Sequence, residues 1–335
     1  MRRFAPALAL TLGALLPAAS ATPAPTSMAT ANAAATTRVP FPVTVTHALG
    51  QTTLPARPTR VVALGPHALD LLLSLGVQPV GYGEAAQLGV KTFGSPIRQI
   101  RYLGSRVTSA PLYVGDRFKP NMELLATLKP DLIVGEDYAS AAYPALNRVA
   151  PTLLFTGTHS GDWQKSLPVL ARALGREDRA AAVLARSRAV LNGARRALTP
   201  WAGQRALVVW NSGGQNRELY TVLGPKDWTG GLFQDLGFRL ALPGAPDPAM
   251  TEGYRTLSVE ALGALDPDVV FVVASGTNTP TRAANDWKAS ALAGRLRASR
   301  AGRVYFVPIQ LMGRIRGPVA TELATREVRR QLGAR

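Results

Sequence analysis

Phe41 to Leu54 alternates apolar and polar residues around Leu49-Gly50-Gln51, the period-2 signature of a β-hairpin. Beyond it the rhythm changes to short, unbroken apolar runs separated by helical stripes. Arg60 to Leu64 and Gln78 to Gly83 read as strands. They flank a helix that Pro66 starts and that reaches Leu75. Ala85 to Pro120 is rich in Gly, Pro and Arg, has no period, and reads as mostly loop, where function concentrates. Tyr138 to Val149 is expected to be helical and Pro151 to Phe155 to be a strand. From Asp162 to Leu198 the pattern is helical with one break. Gly175 stops the first segment, and Glu177-Asp178 place negative charge at the start of the second. Ala181, Leu184, Val190, Leu191, Ala194 and Leu198 form the apolar stripe of that second helix. At about 22 residues it is about 33 Å long, enough to cross from one lobe to another. After Pro200-Trp201-Ala202-Gly203, the pattern predicts a strand at 205–210, a helix from Trp228 to Leu236, a strand at 303–307 and a last helix from Pro318 to Leu332.

The chain also repeats itself. Glu123-Leu-Leu-Ala-Thr-Leu-Lys-Pro130-Asp131-Leu-Ile-Val recurs 137 positions later as Glu260-Ala-Leu-Gly-Ala-Leu-Asp-Pro267-Asp268-Val-Val-Phe. Leucines three residues apart give a short helix one buried stripe. The Pro ends it, and the β-branched run after the Asp reads as a buried parallel strand. Leu72 to Gly76 and Leu232 to Gly237 are a second echo, each a helix stopped by Gly. Each copy is a helix–strand step of an α/β sheet opened by a solvent-facing Glu. Two similar lobes follow, and two lobes make a cleft.

Residues 1–21 have the form of an export signal: Arg2 and Arg3, an apolar stretch from Ala7 to Leu16, and cleavage expected near Ala21. The apolar run is too short to span a bilayer. No Cys is present, so no lipobox and no disulfide is expected. Thr22 to Thr37 is Ala, Thr, Pro and Ser and reads as a tether, taken to residue 40. The formal charge is +17, or +15 without Arg2 and Arg3. The basic residues are mostly scattered Arg without interleaved aromatics or zinc-finger spacing, which argues against nucleic acid and for a cleft that favours anions. His47, His67 and His159 lack metal-ligand spacing, so no bare-metal site is expected. There is no nucleophile elbow, phosphate loop or dinucleotide fingerprint. The chain is therefore expected not to be an enzyme. An exported hydrolase is the different-class alternative.

His47-Ala-Leu-Gly-Gln-Thr-Thr-Leu-Pro55 with Pro58-Thr-Arg60-Val-Val-Ala-Leu resembles the opening of periplasmic substrate-binding proteins for ferric siderophores. Val114-Gly-Asp-Arg117-Phe-Lys-Pro120-Asn121-Met-Glu123, leading into Lys129-Pro130-Asp131, resembles that group's signature. The resemblance runs from about Thr44 to Leu332. It implies an α/β fold of two Rossmann-like lobes, each a mainly parallel sheet flanked by helices, joined by a single long α-helix. The lobes would be 41–160 and 201–335, with the interlobe helix in 161–200. It implies a monomeric periplasmic carrier that captures an iron(III)-siderophore complex, needs no cofactor, and delivers it to the permease of an ABC importer. It gives Glu123 and Glu260 the role of docking on permease arginines. It places Arg117 where relatives contact iron-bound oxygens, with Tyr138 beside it and Tyr254 on the other lobe. Arg314 and Arg316 stand in a loop that relatives use for ligand contacts. Their two positive charges in place of aromatics shift the expected cargo towards an anionic chelate. Trp210 and Arg217, at the end of strand 205–210, are further candidates. His67, at the start of the first helix, is a candidate ligand contact or haem ligand. Hydroxamate, catecholate and citrate-type chelates, haem and cobalamin all remain open at this point.

Overall fold

The computed structural model describes residues 40–85, 92–244 and 254–334. The expected leader and the tether up to residue 39 lie outside them. β1 (Val43–His47) and β2 (Gly50–Leu54) form the predicted hairpin. Its turn falls one residue earlier than expected, on Ala48-Leu49, because His47 pairs with Gly50.

The first large sheet contains β3 (Val61–Leu64), β4 (Gly81–Gly83), β5 (Leu112–Tyr113), β6 (Leu132–Glu136) and β7 (Thr152–Phe155). All are parallel, in the order β5-β4-β3-β6-β7. Helices α1 (Pro66–Ser74), α2 (Pro96–Gln99), α3 (Met122–Leu128) and α4 (Tyr143–Val149) connect them. Every residue of β3, β6 and β7 is buried, which is why their sequences are unbroken apolar runs rather than alternating ones. Strand order reverses between β3 and β6. Sheets of this kind bind ligands beyond the carboxyl ends of the strands at such a reversal.

Two helices follow, α5 (Asp162–Leu174) and α6 (Glu177–Ala197), split at Gly175 as the sequence predicts. The buried line of α6 runs through Ala180, Ser187, Ala194 and then Leu198, while Ala181 is exposed. The stripe is thus offset by one residue at its start, and a polar Ser occupies one of its buried positions. The second sheet has the order β11-β9-β8-β12-β13, with β10 beside β8. Its strands are β8 (Arg205–Asn211), β9 (Leu219–Leu223), β10 (Arg239–Leu240), β11 (Tyr254–Ser258), β12 (Val269–Ala274) and β13 (Val304–Pro308). β8, β10, β12 and β13 are mutually parallel. β9 alone is reversed, pairing antiparallel with β8 on one side and with the edge strand β11 on the other, since the short β8–β9 connection can only turn the chain back. The helices are α7 (Trp228–Asp235), α8 (Val259–Gly263), α9 (Pro280–Ala289), α10 (Ala291–Gly294), α11 (Arg297–Arg300) and α12 (Pro318–Gln331).

The repeated segments do the same job in each sheet. Asp131 accepts hydrogen bonds from the Thr59 and Arg60 backbone N–H groups at the start of β3, at 2.7 and 2.8 Å. Asp268 accepts from Arg205 N at the start of β8, at 2.8 Å. Arg60 and Arg205 in turn donate to equivalent carbonyls of the repeat, Leu128 O at the end of α3 (2.6 Å) and Leu265 O just after α8 (2.8 Å). Lys129 and Asp266, equivalent in the repeat, both take the left-handed backbone (φ 46° and 39°) that turns the chain from helix to strand. Glu123 and Glu260 stand exposed in the first turns of α3 and α8.

The link between the halves is broader than one helix. A single apolar cluster runs from Val61 and Leu69 through Trp163 and Ala194 to Phe271 and Ala320. Thr158 to Ser160 pairs with Lys226 to Trp228, through Ser160 N to Lys226 O (2.8 Å) and Trp228 N to Thr158 O (2.9 Å). α12 packs on both α6 and α1. Asp70 of α1, fully buried, accepts from Val319 N (3.0 Å) and Ala320 N (2.9 Å), so it caps α12 from another element.

Candidate functional site

The carboxyl ends of the first sheet's strands carry Gly65 and His67 after β3, Glu84 after β4, Arg117 after β5 and Glu136 at the end of β6. The segment after β13 meets them. It makes one turn of π-helix over Gln310–Arg314, a wide turn frequent at functional sites. Arg316 then sits at φ 53°, an uncommon conformation for a long side chain. That bend aims Arg316 at Glu136. Arg316 Nη2 donates to Glu136 Oε1, and Nη1 donates to Gly313 O at 3.0 Å. Arg117 Nη1 reaches the other oxygen of the same carboxylate, Glu136 Oε2, at 3.3 Å. Glu136 therefore bridges an arginine of the first sheet and an arginine from the segment after the second.

Two glycines make room for this. A Cβ on Gly65 would come within 3.3 Å of both Arg117 Cδ and Glu136 Oε2. One on Gly157 would lie 2.8 Å from His67 Nε2 and 3.1 Å from Glu136 Oε1. Glu136 is thus walled in at the reversal between β3 and β6.

Arg314 has a different environment. Among the described residues no carboxylate oxygen lies within 4.0 Å of its guanidinium. Burial lowers its pKa, and repulsion from Arg117 lowers it further. The acid whose charge acts on it, Glu84, is committed elsewhere. Its Oε1 accepts from Ala85 N at 2.8 Å, and its Oε2 from the Tyr82 hydroxyl and from Gln310 Nε2 at 3.4 Å. Burial also lowers the His67 pKa against the pull of Glu136. His67 Nδ1 lies 3.1 Å from Ile315 O and, facing a carbonyl, must donate.

Five side-chain atoms of this cluster are buried without a hydrogen-bond partner among the described residues. They are His67 Nε2, Arg117 Nε, Gln310 Oε1, Arg314 Nη1 and Arg316 Nε. An unmet buried polar group costs about 1–3 kcal/mol, so such a concentration in one place calls for a partner. Three of the five are guanidinium N–H groups and suit oxygen anions. At the rim, Phe118 and Tyr138 form an edge-to-face pair, 5.5 Å between centroids, each more than a third exposed. Arg117 lies over both rings, at 4.7 and 5.2 Å, and Arg316 lies 6.0 Å from Tyr138. The arrangement can hold a ligand with an oxygen-rich anionic face and a flat or apolar flank.

The residues read from the sequence divide accordingly. Arg117, Tyr138, Arg314 and Arg316 come together, and His67 backs them as part of the wall. Trp210 is half-buried beside the π turn, 3.7 Å from where a Gly313 Cβ would lie. Arg217 is exposed on the β8–β9 connection, apart from this cluster in its contacts. The backbone of Tyr254 belongs to β11, opposite Leu223, and its side chain lies outside the described residues. Asn211 is a structural hub that donates to Arg217 O and Leu219 O, both at 3.0 Å. Sequence reading missed Glu84, Glu136, Gln310 and Phe118. A signal for the two acids was there: both are the Glu of a Gly-Glu pair that follows an apolar strand run, Gly83-Glu84 and Gly135-Glu136.

The profile of the family described as periplasmic binding protein matches residues 61–311. The Fe(3+)-citrate-binding protein YfmC of Bacillus subtilis (strain 168) is 28% identical over 282 residues, 83% of this chain and 82% of that one. The Fe(3+) dicitrate-binding periplasmic protein FecB of Escherichia coli (strain K12) is 26% identical over 281 residues, 82% and 84% of the two chains. The crystal structure of Staphylococcus aureus SirA complexed with staphyloferrin B superposes with a TM-score of 0.70 at 22% identity, covering 88% of this chain and 99% of that one. That likeness shows the two-lobed fold.

Proposed function

Since the chain belongs to the periplasmic binding protein family, we propose that it is an exported carrier that captures a ferric siderophore and hands it to the permease of an ABC importer. The observation that carries this reading is the set of buried, unpartnered guanidinium N–H groups at the strand-order reversal, beside an exposed aromatic pair. Protonated guanidinium donors cannot ligate Fe³⁺, but they meet the anionic oxygens that surround it in a chelate. The cargo is therefore the whole complex, with iron as substrate rather than resident cofactor. The names of YfmC and FecB, both ferric citrate binders, support a chelate with carboxylate oxygens. Binding and release suffice for this role, and no residue is assigned to catalysis.

Glu123 and Glu260 are the docking points in this reading. In each repeat the Asp ties helix to strand, whereas the Glu is exposed at the helix start. Two like charges on separate halves give a permease two points of contact. Reversing both, Glu123→Lys with Glu260→Lys, is expected to abolish cellular uptake of the ferric chelate while the purified protein binds it unchanged. Uptake at the normal rate would remove the docking role, and lost affinity would place these residues in the site.

A further inference from the structure

We propose that Glu136 is a resident competitor of the ligand, a built-in carboxylate that sets the affinity and charge selectivity of the cleft. This inference rests on the chelate-carrier reading. Glu136 presents one oxygen to Arg117 and the other to Arg316. It thereby takes the two-oxygen position that a carboxylate or catecholate arm of a ligand would take on the same guanidinium forks. The carboxylate is 2% exposed and hemmed in by Gly65, Gly157 and His67, so it is fixed in place rather than free to swing into solvent.

Arg314, whose Nη1 has no partner among the described residues, is then the first anchor for an incoming anion. The Nη groups of Arg117 and Arg316 that face Glu136 become available only to a ligand whose oxygens compete with that carboxylate. Such an arrangement penalises weakly charged ligands and favours densely anionic ones, because specificity is a difference of affinities. It also couples binding to the two halves of the molecule. Arg117 follows β5 of the first sheet and Arg316 follows β13 of the second, and Glu136 is the group between them.

Glu84 supplies an internal comparison. It is also buried, but it is held by Ala85 N, Tyr82 and Gln310 and, among the described residues, bridges no arginine pair. Removing its charge changes the net charge of the cluster without freeing Arg117 and Arg316.

The test is equilibrium titration of wild type, Glu136→Gln and Glu84→Gln with a trianionic triscatecholate chelate (ferric enterobactin), a neutral trishydroxamate chelate (ferrichrome) and free citrate. Glu136→Gln is expected to bind the anionic chelate about tenfold or more tightly than wild type, a change of about 1.4 kcal/mol. The gain for ferrichrome is expected to be smaller, as is the gain in Glu84→Gln. Equal gains in the two variants would show that net charge, not the bridge, sets affinity and would overturn the proposal. So would weaker binding by Glu136→Gln, which would make Glu136 a positioning residue. If no ferric chelate binds any of the three proteins, the carrier reading fails. The citrate titration still decides whether Glu136 competes with anions. Should Glu136→Gln fold poorly by thermal melt, Glu136→Asp keeps the charge and shortens its reach to Arg316. A gain of the same sign is then expected, and its absence counts against the bridge.

Discussion

Asp70 shows how much one side chain can tie together. It lies fully buried on α1 and accepts from Val319 N, Ala320 N and Ser74 Oγ, so the last helix is capped by a residue some 250 positions earlier. Burial outweighs these hydrogen bonds and raises its pKa from 3.8 to about 6. The folded protein therefore holds this proton more tightly than the unfolded chain. Asp70's contribution to stability is complete below about pH 4 and is lost as pH rises through about 6, a difference of roughly 3 kcal/mol. Raising the pH from about 5 to about 7 is expected to lower the unfolding midpoint of the wild type more than that of Asp70→Asn. Parallel pH profiles in a thermal melt would show that the Asp70 charge is not the cause. The arginines follow a different logic. What distinguishes them is partnership: Arg117 and Arg316 share Glu136, while Arg314 has no such acid among the described residues.

At the scale of elements, the repeat explains why so much of the fold was legible. Buried parallel strands must be written as unbroken apolar runs, and Pro and Gly mark their helices, so β6, β12, α3, α8 and the Gly175 break could be read directly. The repeated Asp was legible as a pattern but not as a function, since its partners, Arg60 and Arg205, stand more than sixty residues away. Asp131→Ala removes three acceptor contacts, to Thr59 N, Thr59 Oγ1 and Arg60 N, and is expected to destabilise the protein by about 1–3 kcal/mol. A chemical-denaturation midpoint equal to wild type would show that the helix–strand turn holds without it. The site was only half legible for the same reason. Arg117, Arg314 and Arg316 attract notice as cations in loops. Glu84 and Glu136 look like strand ends until topology brings β4, β6 and the segment after β13 to one place. Arg217 had the right chemistry, but the exposed β8–β9 connection keeps it apart from that cluster's contacts.

The whole molecule is held by more than the helix expected to join its halves. α6 spans about 32 Å at 21 residues. Beside it run a shared apolar core, the Thr158–Ser160 backbone pairing, the α12 cap and the Glu322 contacts to Arg106 and Arg186. So many cross-links favour a small closure around a ligand over a wide hinge opening. They also make the Glu136 bridge one tie among several, which a ligand can replace without unlocking the fold. In the proposed function, buried arginines hold the anionic oxygens of a ferric chelate. The most direct measurement is a tryptophan and tyrosine fluorescence titration of the mature protein with ferric and iron-free citrate-type, catecholate and hydroxamate siderophores, with haem and cobalamin alongside, repeated on Arg314→Ala. Tight binding of one ferric chelate is expected, with weaker binding of its iron-free form and about a tenfold or greater loss in Arg314→Ala, the scale of a charged hydrogen bond. Binding of haem or cobalamin alone, or of the ferric chelate with equal affinity in Arg314→Ala, would contradict this reading.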